Sequence, residues 1–123
     1  MNRRNLANLT TKDLVERFTA IGVDQFQAEL LGDTTKFTRL YWQKDAIENE
    51  LKARAGDQRR TLLVLFDHSN VQVRLNAARA TLAVAPYQAR KMLQAIADSQ
   101  EYPQAGDAGM SLWNLDRGVY KPT

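Results

Sequence analysis

The chain has 123 residues, of which 44% are hydrophobic and 25% charged, a composition typical of one globular domain. It has no Cys and one His, which excludes disulfides, thiolate metal sites and Cys nucleophiles and would leave a zinc site to carboxylates almost alone. The net charge of +3 is spread over both halves of the chain, which predicts a mixed, solvated surface rather than a basic patch. We therefore expect no metal and no cofactor.

The sequence contains no candidate membrane segment. Its longest apolar run, residues 62–66, is far below the roughly 18 residues that a transmembrane helix needs. Arg3 and Arg4 resemble the start of a signal peptide, but the apolar segment that should follow is missing. These features predict a cytoplasmic protein with no membrane partner.

The first long helix is predicted to begin after Thr10 or Thr11, either of which is a suitable N-cap. Asp13 then lies in the first turn, where a negative charge favours the helix dipole. Gly22 lies inside the apolar pattern and predicts a bend or a break. Gly32 predicts the end of the helix.

Residues 34–55 form the clearest amphipathic helix, with Asp33 as its cap and Gly56 just after its end. Apolar side chains recur at steps of three and four residues, and Tyr41 and Trp42 flank the stripe. The helix is therefore predicted to pack on its own domain rather than to form a coiled coil.

The next predicted unit is a helical hairpin. A third helix at 58–66 would be capped by Asp57, and a fourth, at about 70–84, by a capping box of Ser69 and Gln72. The fourth helix is rich in Ala, which predicts the close approach of a neighbouring helix.

Two further helices complete the prediction. Pro86 opens a fifth helix at 86–98. Pro103 opens a sixth that extends to about Arg117 and is ended by Gly118. No strand pattern or hairpin turn is present, so the fold class is all-α.

The chain contains a weak internal repeat. An offset of 31 residues aligns the last two predicted hairpins. It pairs residues of similar type at five positions: Leu62 with Leu93, Leu65 with Ile96, Asp67 with Asp98, Ala77 with Ala108, and Leu82 with Trp113. Such a repeat is typical of a helical solenoid.

Residues 62–86 resemble a HEAT repeat, in which a Leu-rich helix ends at Asp and the next helix carries Val-Arg followed by Ala and Leu. The matching residues are Leu62, Leu63, Leu65, Asp67, Val73, Arg74, Ala77, Ala78, Ala80 and Leu82. The resemblance implies an α-α superhelix of the HEAT or armadillo kind, with about six helices in three antiparallel hairpins. It also implies a structural role for Asp67 and Arg74.

The whole chain also resembles a family of small bacterial proteins of unknown function. The segments that carry the resemblance are LVERF (14–18), KF-x-RL (36–40), IENELKAR (47–54), VRLNAARATLAVAP (73–86) and YPQAGDAGMSLWNLDRG (102–118). This resemblance implies a HEAT-like fold and no assigned activity. We expect a flexible N-terminus at 1–9 and a single HEAT-like domain at 10–123.

No catalytic residues are identified. Asp67, His68 and Ser69 are neighbours in one link, whereas a catalytic triad needs side chains that converge from different elements. Asp45 and Glu48 share a helix face, but nearby lysines predict ordinary ion pairs. We therefore expect a protein that is not an enzyme.

The segment 102–113 is unusual for a helix because it combines a Pro and two Gly with Tyr102, Asp107 and Trp113. In the structural interpretation, Gly106 and Gly109 allow close backbone packing while Trp113 covers the end of the solenoid. In the functional interpretation, the two aromatic residues and Asp107 form a surface that recognises a partner.

Five cations come near predicted helix ends, where a solenoid could place them along one edge: Arg54, Arg59, Arg60, Arg90 and Lys91. Such an edge could contact phosphates or an acidic protein. The leading hypothesis is a non-enzymatic module that binds a protein partner, as an adaptor or immunity protein does. Weak nucleic-acid binding through the basic edge is the alternative.

Overall fold

The computed structural model describes residues 3–123, and all regular structure in this part of the chain is helical. The elements are α1 (Arg3–Ala7), α2 (Thr11–Leu30), α3 (Thr34–Ala53), a 3₁₀ helix (Gln58–Asp67), α4 (Val71–Ala80), α5 (Pro86–Ala97) and α6 (Gln104–Asp116). The predicted all-α class is confirmed.

Helices that are adjacent in sequence pack as antiparallel pairs. α2 packs on α3, the 3₁₀ helix on α4, and α5 on α6. α4 also packs against α2, α5 and α6, so it lies at the centre of the fold. The pairing agrees with the predicted hairpins.

The apolar core has two parts, one on each side of α4. Val73 and Ala77 face the part built with α1, α2 and α3. Leu75 and Ala78 face the part built with α5 and α6. Phe66, in the 3₁₀ helix, packs against both parts. α4 is therefore buried on almost all sides, as its small side chains predicted.

α2 begins and ends as predicted but does not break at Gly22. Thr10 forms a capping box with Asp13, since its hydroxyl accepts from the Asp13 N–H while the Asp13 carboxylate accepts from the Thr10 N–H. At the other end, Gly32 has φ +69 and the Asp33 N–H donates to the Ala28 carbonyl at 2.8 Å. The predicted break is therefore wrong, and Gly22 instead allows α2 to approach α4 closely.

The N-terminal segment, predicted to be a flexible stretch at 1–9, contains a short helix in its described part. Its flexibility stays a prediction. α1 packs on α3, and its Leu6 is fully buried. The Arg54 guanidinium donates to the carbonyls of Leu6 and Leu9 at 3.1 and 2.6 Å and to the Thr11 hydroxyl at 3.3 Å. Residues 1 and 2 lie outside the described part of the chain.

The middle hairpin lies at its predicted position, but its first helix is of a different type and the cap of α4 differs from the prediction. The segment 58–66 forms a 3₁₀ helix instead of an α-helix, with Asp57 as its cap as predicted. At α4 the cap is Asn70, whose side chain accepts from the backbone N–H groups of Gln72 and Val73. The predicted capping box of Ser69 and Gln72 is therefore wrong, because the Gln72 side chain donates to Asn76 instead.

Among residues 3–123, none of the helices has the length and apolarity that a membrane crossing requires.

Candidate functional site

A groove lies between α3 and α6, with α4 at its base. It consists of a cavity of 480 Å³ and an adjoining cavity of 190 Å³. The two share four lining residues, Asp45, Glu48, Arg79 and Tyr120. We refer to the two cavities together as the groove.

One face of α3 forms a wall of the groove. Its side chains follow one another at helical spacing from Phe37 through Tyr41, Lys44 and Glu48 to Lys52. The neighbouring face carries the core residues Leu40, Ile47 and Leu51. The amphipathic pattern of this helix thus separates a core face from a groove face.

The centre of this wall is an ion pair with little net charge. Lys44, only 6% exposed, donates to the Glu48 carboxylate at 3.0 Å, and its Nζ lies 4.7 Å from the Tyr41 ring centroid. Burial raises the pKa of Glu48 above its ordinary value, although Lys44 acts in the opposite direction. Asp45 accepts a hydrogen bond from Asn49 at 3.3 Å. The predicted ion pair thus forms at Glu48, where it is largely buried, whereas Asp45 bonds to Asn49.

Buried amide side chains form part of the base of the groove, beside Arg79 of α4. Gln72 and Asn76 of α4 and Gln25 of α2 line the larger cavity, and all three are buried. Gln72 donates to Asn76 at 2.9 Å, and Asn76 donates to Gln25 at 2.6 Å. These amides can bind polar ligand groups by hydrogen bonds and are themselves uncharged.

The chain's own last residues lie over the groove. The N–H groups of Val119 and Tyr120 donate to the Asn114 carbonyl at the end of α6. Tyr120 lines both cavities, and Pro122 and Thr123 line the smaller one. This segment has no regular secondary structure.

The functional interpretation of 102–113 placed three residues in one surface. The Tyr102 ring approaches the β-position of Gly106, and Trp113 follows Gly106 by two helical turns, so these aromatic residues share a face of α6. They are 70% and 53% exposed. Asp107 is exposed on a neighbouring face, and its carbonyl accepts from Arg79 and Ser111. The proposed recognition role of all three stays a prediction.

The structural interpretation of the same segment does not agree with the structure. A β-carbon at Gly109 would meet nothing within 4 Å, and one at Gly106 would meet only Tyr102. The ring of Trp113 is half exposed, with the guanidinium of Arg117 stacked 4.7 Å from its centroid. These glycines therefore do not serve close packing, while the role of Trp113 at an end of the fold stays a prediction.

The cations predicted to share a basic edge bond to different parts of the structure. Arg59 forms an ion pair with Asp57 at 2.6 Å and lines the smaller cavity. Arg60 donates to the Val84 carbonyl, and Arg90 pairs with Asp116 at 2.9 Å. Arg54 is held by α1, as described above, while Lys91 is exposed on α5. Most of this positive charge is therefore engaged within the protein.

The link at 67–70 serves the structure of the hairpin. Nδ1 of His68 accepts from the Asn70 N–H at 3.0 Å. Arg74 donates to the carbonyls of His68 and Ser69 and pairs with Glu101 at 3.0 Å, which ties this link to the segment before α6. The structural role that the HEAT resemblance implied for Arg74 agrees with these contacts. Within residues 3–123, no group of His, Cys, Asp or Glu could hold a metal ion.

Comparison with protein-family models matches residues 12–116 to the family described as domain of unknown function DUF2019. The chain belongs to the DUF2019 family. It is also similar to a solved structure, the crystal structure of the protein RPA1889 from Rhodopseudomonas palustris CGA009, with 52% identity and a TM-score of 0.94. That match covers 96% of this chain and 98% of the other. A comparison with curated proteins gave no match.

The DUF2019 match agrees with the resemblance to small proteins of unknown function, and its description assigns no activity. The groove was not identified from the sequence. Its lining is distributed over α2, α3, α4, α6 and the last residues, and amide side chains carry no motif. The only signal was Gln25 within the apolar stripe of the first long helix.

Proposed function

We propose that this protein is a non-enzymatic interaction module that binds an extended segment of a protein partner in the groove between α3 and α6. The observation that carries the proposal is the groove itself, with aromatic and paired charged side chains on its α3 wall and buried amides at its base. Mixed apolar and polar lining of this kind suits a polypeptide, which presents both kinds of group.

The length of the groove supports an extended occupant. Its α3 wall runs from Phe37 to Lys52, which at the rise of an α-helix is about 22 Å. An extended polypeptide would place about six or seven residues along that distance. Tyr120, Pro122 and Thr123 of the protein itself line one part of it.

A HEAT-like superhelix is the arrangement that we propose for the three hairpins. Three pairs related by the 31-residue offset are buried alike: Leu62 with Leu93, Leu65 with Ile96, and Ala77 with Ala108. In such a fold, stacked hairpins leave a concave surface for a partner. The groove would be that surface.

An adaptor, or an immunity-type factor that neutralises a toxin, would need only binding, which agrees with the lack of a catalytic set in the sequence. The absence of Cys suits the reducing cytoplasm, where we place the protein. The alternative, nucleic-acid binding, is less well supported because Arg54, Arg59, Arg60 and Arg90 are engaged by other residues.

The test is affinity capture from the host's lysate with the wild type and three variants, with and without nuclease. Tyr41→Ala alters the groove, and Trp113→Ala alters the exposed face of α6. Tyr87→Ala is the matched control, since Tyr87 is 75% exposed and does not line the groove. Thermal unfolding of each variant checks the fold.

We expect one protein partner that survives nuclease, is lost with Tyr41→Ala and is retained by both other variants. Loss with Trp113→Ala alone would contradict the groove and favour the face of α6. Recovery that depends on nucleic acid, or no captured partner, would contradict protein binding.

A further inference from the structure

Four buried amide side chains form a continuous hydrogen-bonded series across the fold, which we call the amide chain. Gln104 of α6 donates to Gln72 at 3.1 Å, and Gln72 donates to Asn76 at 2.9 Å. Asn76 then donates through Nδ2 to Oε1 of Gln25 in α2 at 2.6 Å. Each of the four is at most 3% exposed. The amide chain therefore runs from α6 through α4 and ends at Gln25 of α2.

Gln25, the last residue of the amide chain, retains a free donor at Nε2. The hydrogen bond from Asn76 uses only Oε1 of Gln25, and no described residue accepts a bond from its Nε2. Among the described residues, every side-chain N or O atom that is cut off from solvent has a hydrogen-bond partner. Gln25 is only 1% exposed and lines the larger cavity. Its Nε2 is therefore reached from the groove.

The amide chain holds this donor in a fixed orientation. A free Gln side chain loses rotamer entropy when it binds, but here the bond from Asn76 has already ordered Gln25. Hydrogen bonds in a chain also polarise one another, which strengthens the terminal donor. The Gln25 side chain is thus preorganised to donate to an acceptor.

The surroundings favour a neutral acceptor. Phe37 and Tyr41 present apolar surface to the same cavity, the ammonium of Lys44 is paired with Glu48, and the guanidinium of Arg79 donates to the Ser111 hydroxyl and the Asp107 carbonyl. A carboxylate or phosphate placed there would lose water and would also lie near the carboxylates of Asp45 and Glu48, which offset these two cations. A carbonyl oxygen needs only one good donor.

We propose that Nε2 of Gln25 donates a hydrogen bond to a main-chain carbonyl of the segment bound in the groove. This inference rests on the proposed function, and it makes Gln25 a residue that recognises peptide backbone whatever the bound side chains are. Gln104, Gln72 and Asn76 are positioning residues that act through Gln25.

The test uses a peptide selected on the wild-type protein from a random seven-residue library. Gln25→Glu keeps an oxygen for Asn76 but replaces the free donor by a second acceptor. We expect its affinity for the peptide to fall by about tenfold at neutral pH, the size of one lost hydrogen bond. Affinity should recover as the pH is lowered and the carboxyl becomes protonated, because it then donates again. The wild type measured at each pH is the control.

Ester analogues of the same peptide locate the carbonyl. Replacing each peptide bond in turn by an ester weakens its carbonyl as an acceptor. At one position, we expect the ester to reduce the affinity of the wild type but to leave the already reduced affinity of Gln25→Glu unchanged. A peptide that needs Tyr41 but binds Gln25→Glu as tightly as the wild type would overturn this inference alone. Failure to select any peptide that depends on Tyr41 would overturn the proposed function.

Discussion

Gly22 of α2 lies directly against Val73 of α4. A β-carbon at position 22 would be 2.8 Å from Cγ2 and 3.1 Å from Cα of Val73, and 3.3 Å from Nδ2 of Asn76. The first distance is shorter than β-carbons tolerate and the other two are tight contacts, so glycine allows an approach that a larger residue would force apart. The contact positions Gln25, one turn further along α2, to accept the hydrogen bond from Asn76.

Gly22→Ala should therefore destabilise the protein by about 1–3 kcal/mol, because the added methyl group forces α2 away from α4. Gly109→Ala is the control, since a β-carbon there meets nothing within 4 Å and alanine favours a helix by about 0.5–1 kcal/mol. Denaturant unfolding measures both changes. If the two variants shifted stability in the same direction, the close approach of the helices would be wrong.

Ala78→Leu should destabilise the fold by roughly 1–3 kcal/mol through overpacking. Ala78 is fully buried in the core formed with α5 and α6. The matched change Ala95→Leu lies on the exposed side of α5 and should alter stability by less than about 0.5 kcal/mol. Thermal unfolding compares them, and equal melting temperatures would mean that α4 is rotated from its position here.

Leu6→Ala should cost about 2–5 kcal/mol, the range for a large side chain removed from a core. Leu6 is fully buried with α1 packed on α3. Leu30→Ala is the control because Leu30 is 66% exposed at the end of α2. Equal effects in equilibrium unfolding would show that the N-terminal segment is not part of the core.

The stability of the protein should fall at acid pH partly through Asp57. Hydrogen bonds from Arg59 lower the pKa of this carboxyl below its ordinary value. The charged form is thus favoured in the folded state, and its contribution is complete above the unfolded pKa, at about pH 4, and is lost as the pH falls through the folded pKa.

Asp57→Asn should remove this part of the pH dependence. Asn suits the position, where φ is +51, and it can still cap the 3₁₀ helix. Unfolding free energies measured from pH 7 down to pH 3 should therefore fall less steeply for the variant than for the wild type. Parallel curves would mean that the ion pair contributes nothing that depends on pH.

The helices could be predicted because their signals are local. Thr10 with Asp13, Asp33 and Gly32 mark boundaries by chemistry that acts within one helical turn. The role of a glycine is not local in this sense. The residues next to Gly22 and Gly109 in the sequence do not indicate which glycine contacts another helix. In the fold, Gly22 lies against α4, whereas Gly109 faces open space.

The groove could not be predicted for the same reason. Amide side chains such as Gln72 and Asn76 look like ordinary polar residues until the fold joins them to Gln25, 51 positions from Asn76 in the chain. The aromatic residues of α6 were visible because exposed Tyr and Trp are conspicuous in any sequence. Conspicuous residues identify candidate surfaces, whereas a site assembled from several helices needs the fold.

Site-specific photo-crosslinking in the host tests most directly whether a partner occupies the groove. A benzoylphenylalanine at position 41 replaces an aromatic residue that lines the groove, and the same group at position 113 reports on the exposed face of α6. The account predicts a crosslinked partner from position 41 and none from position 113. A partner crosslinked from position 113 alone would contradict it.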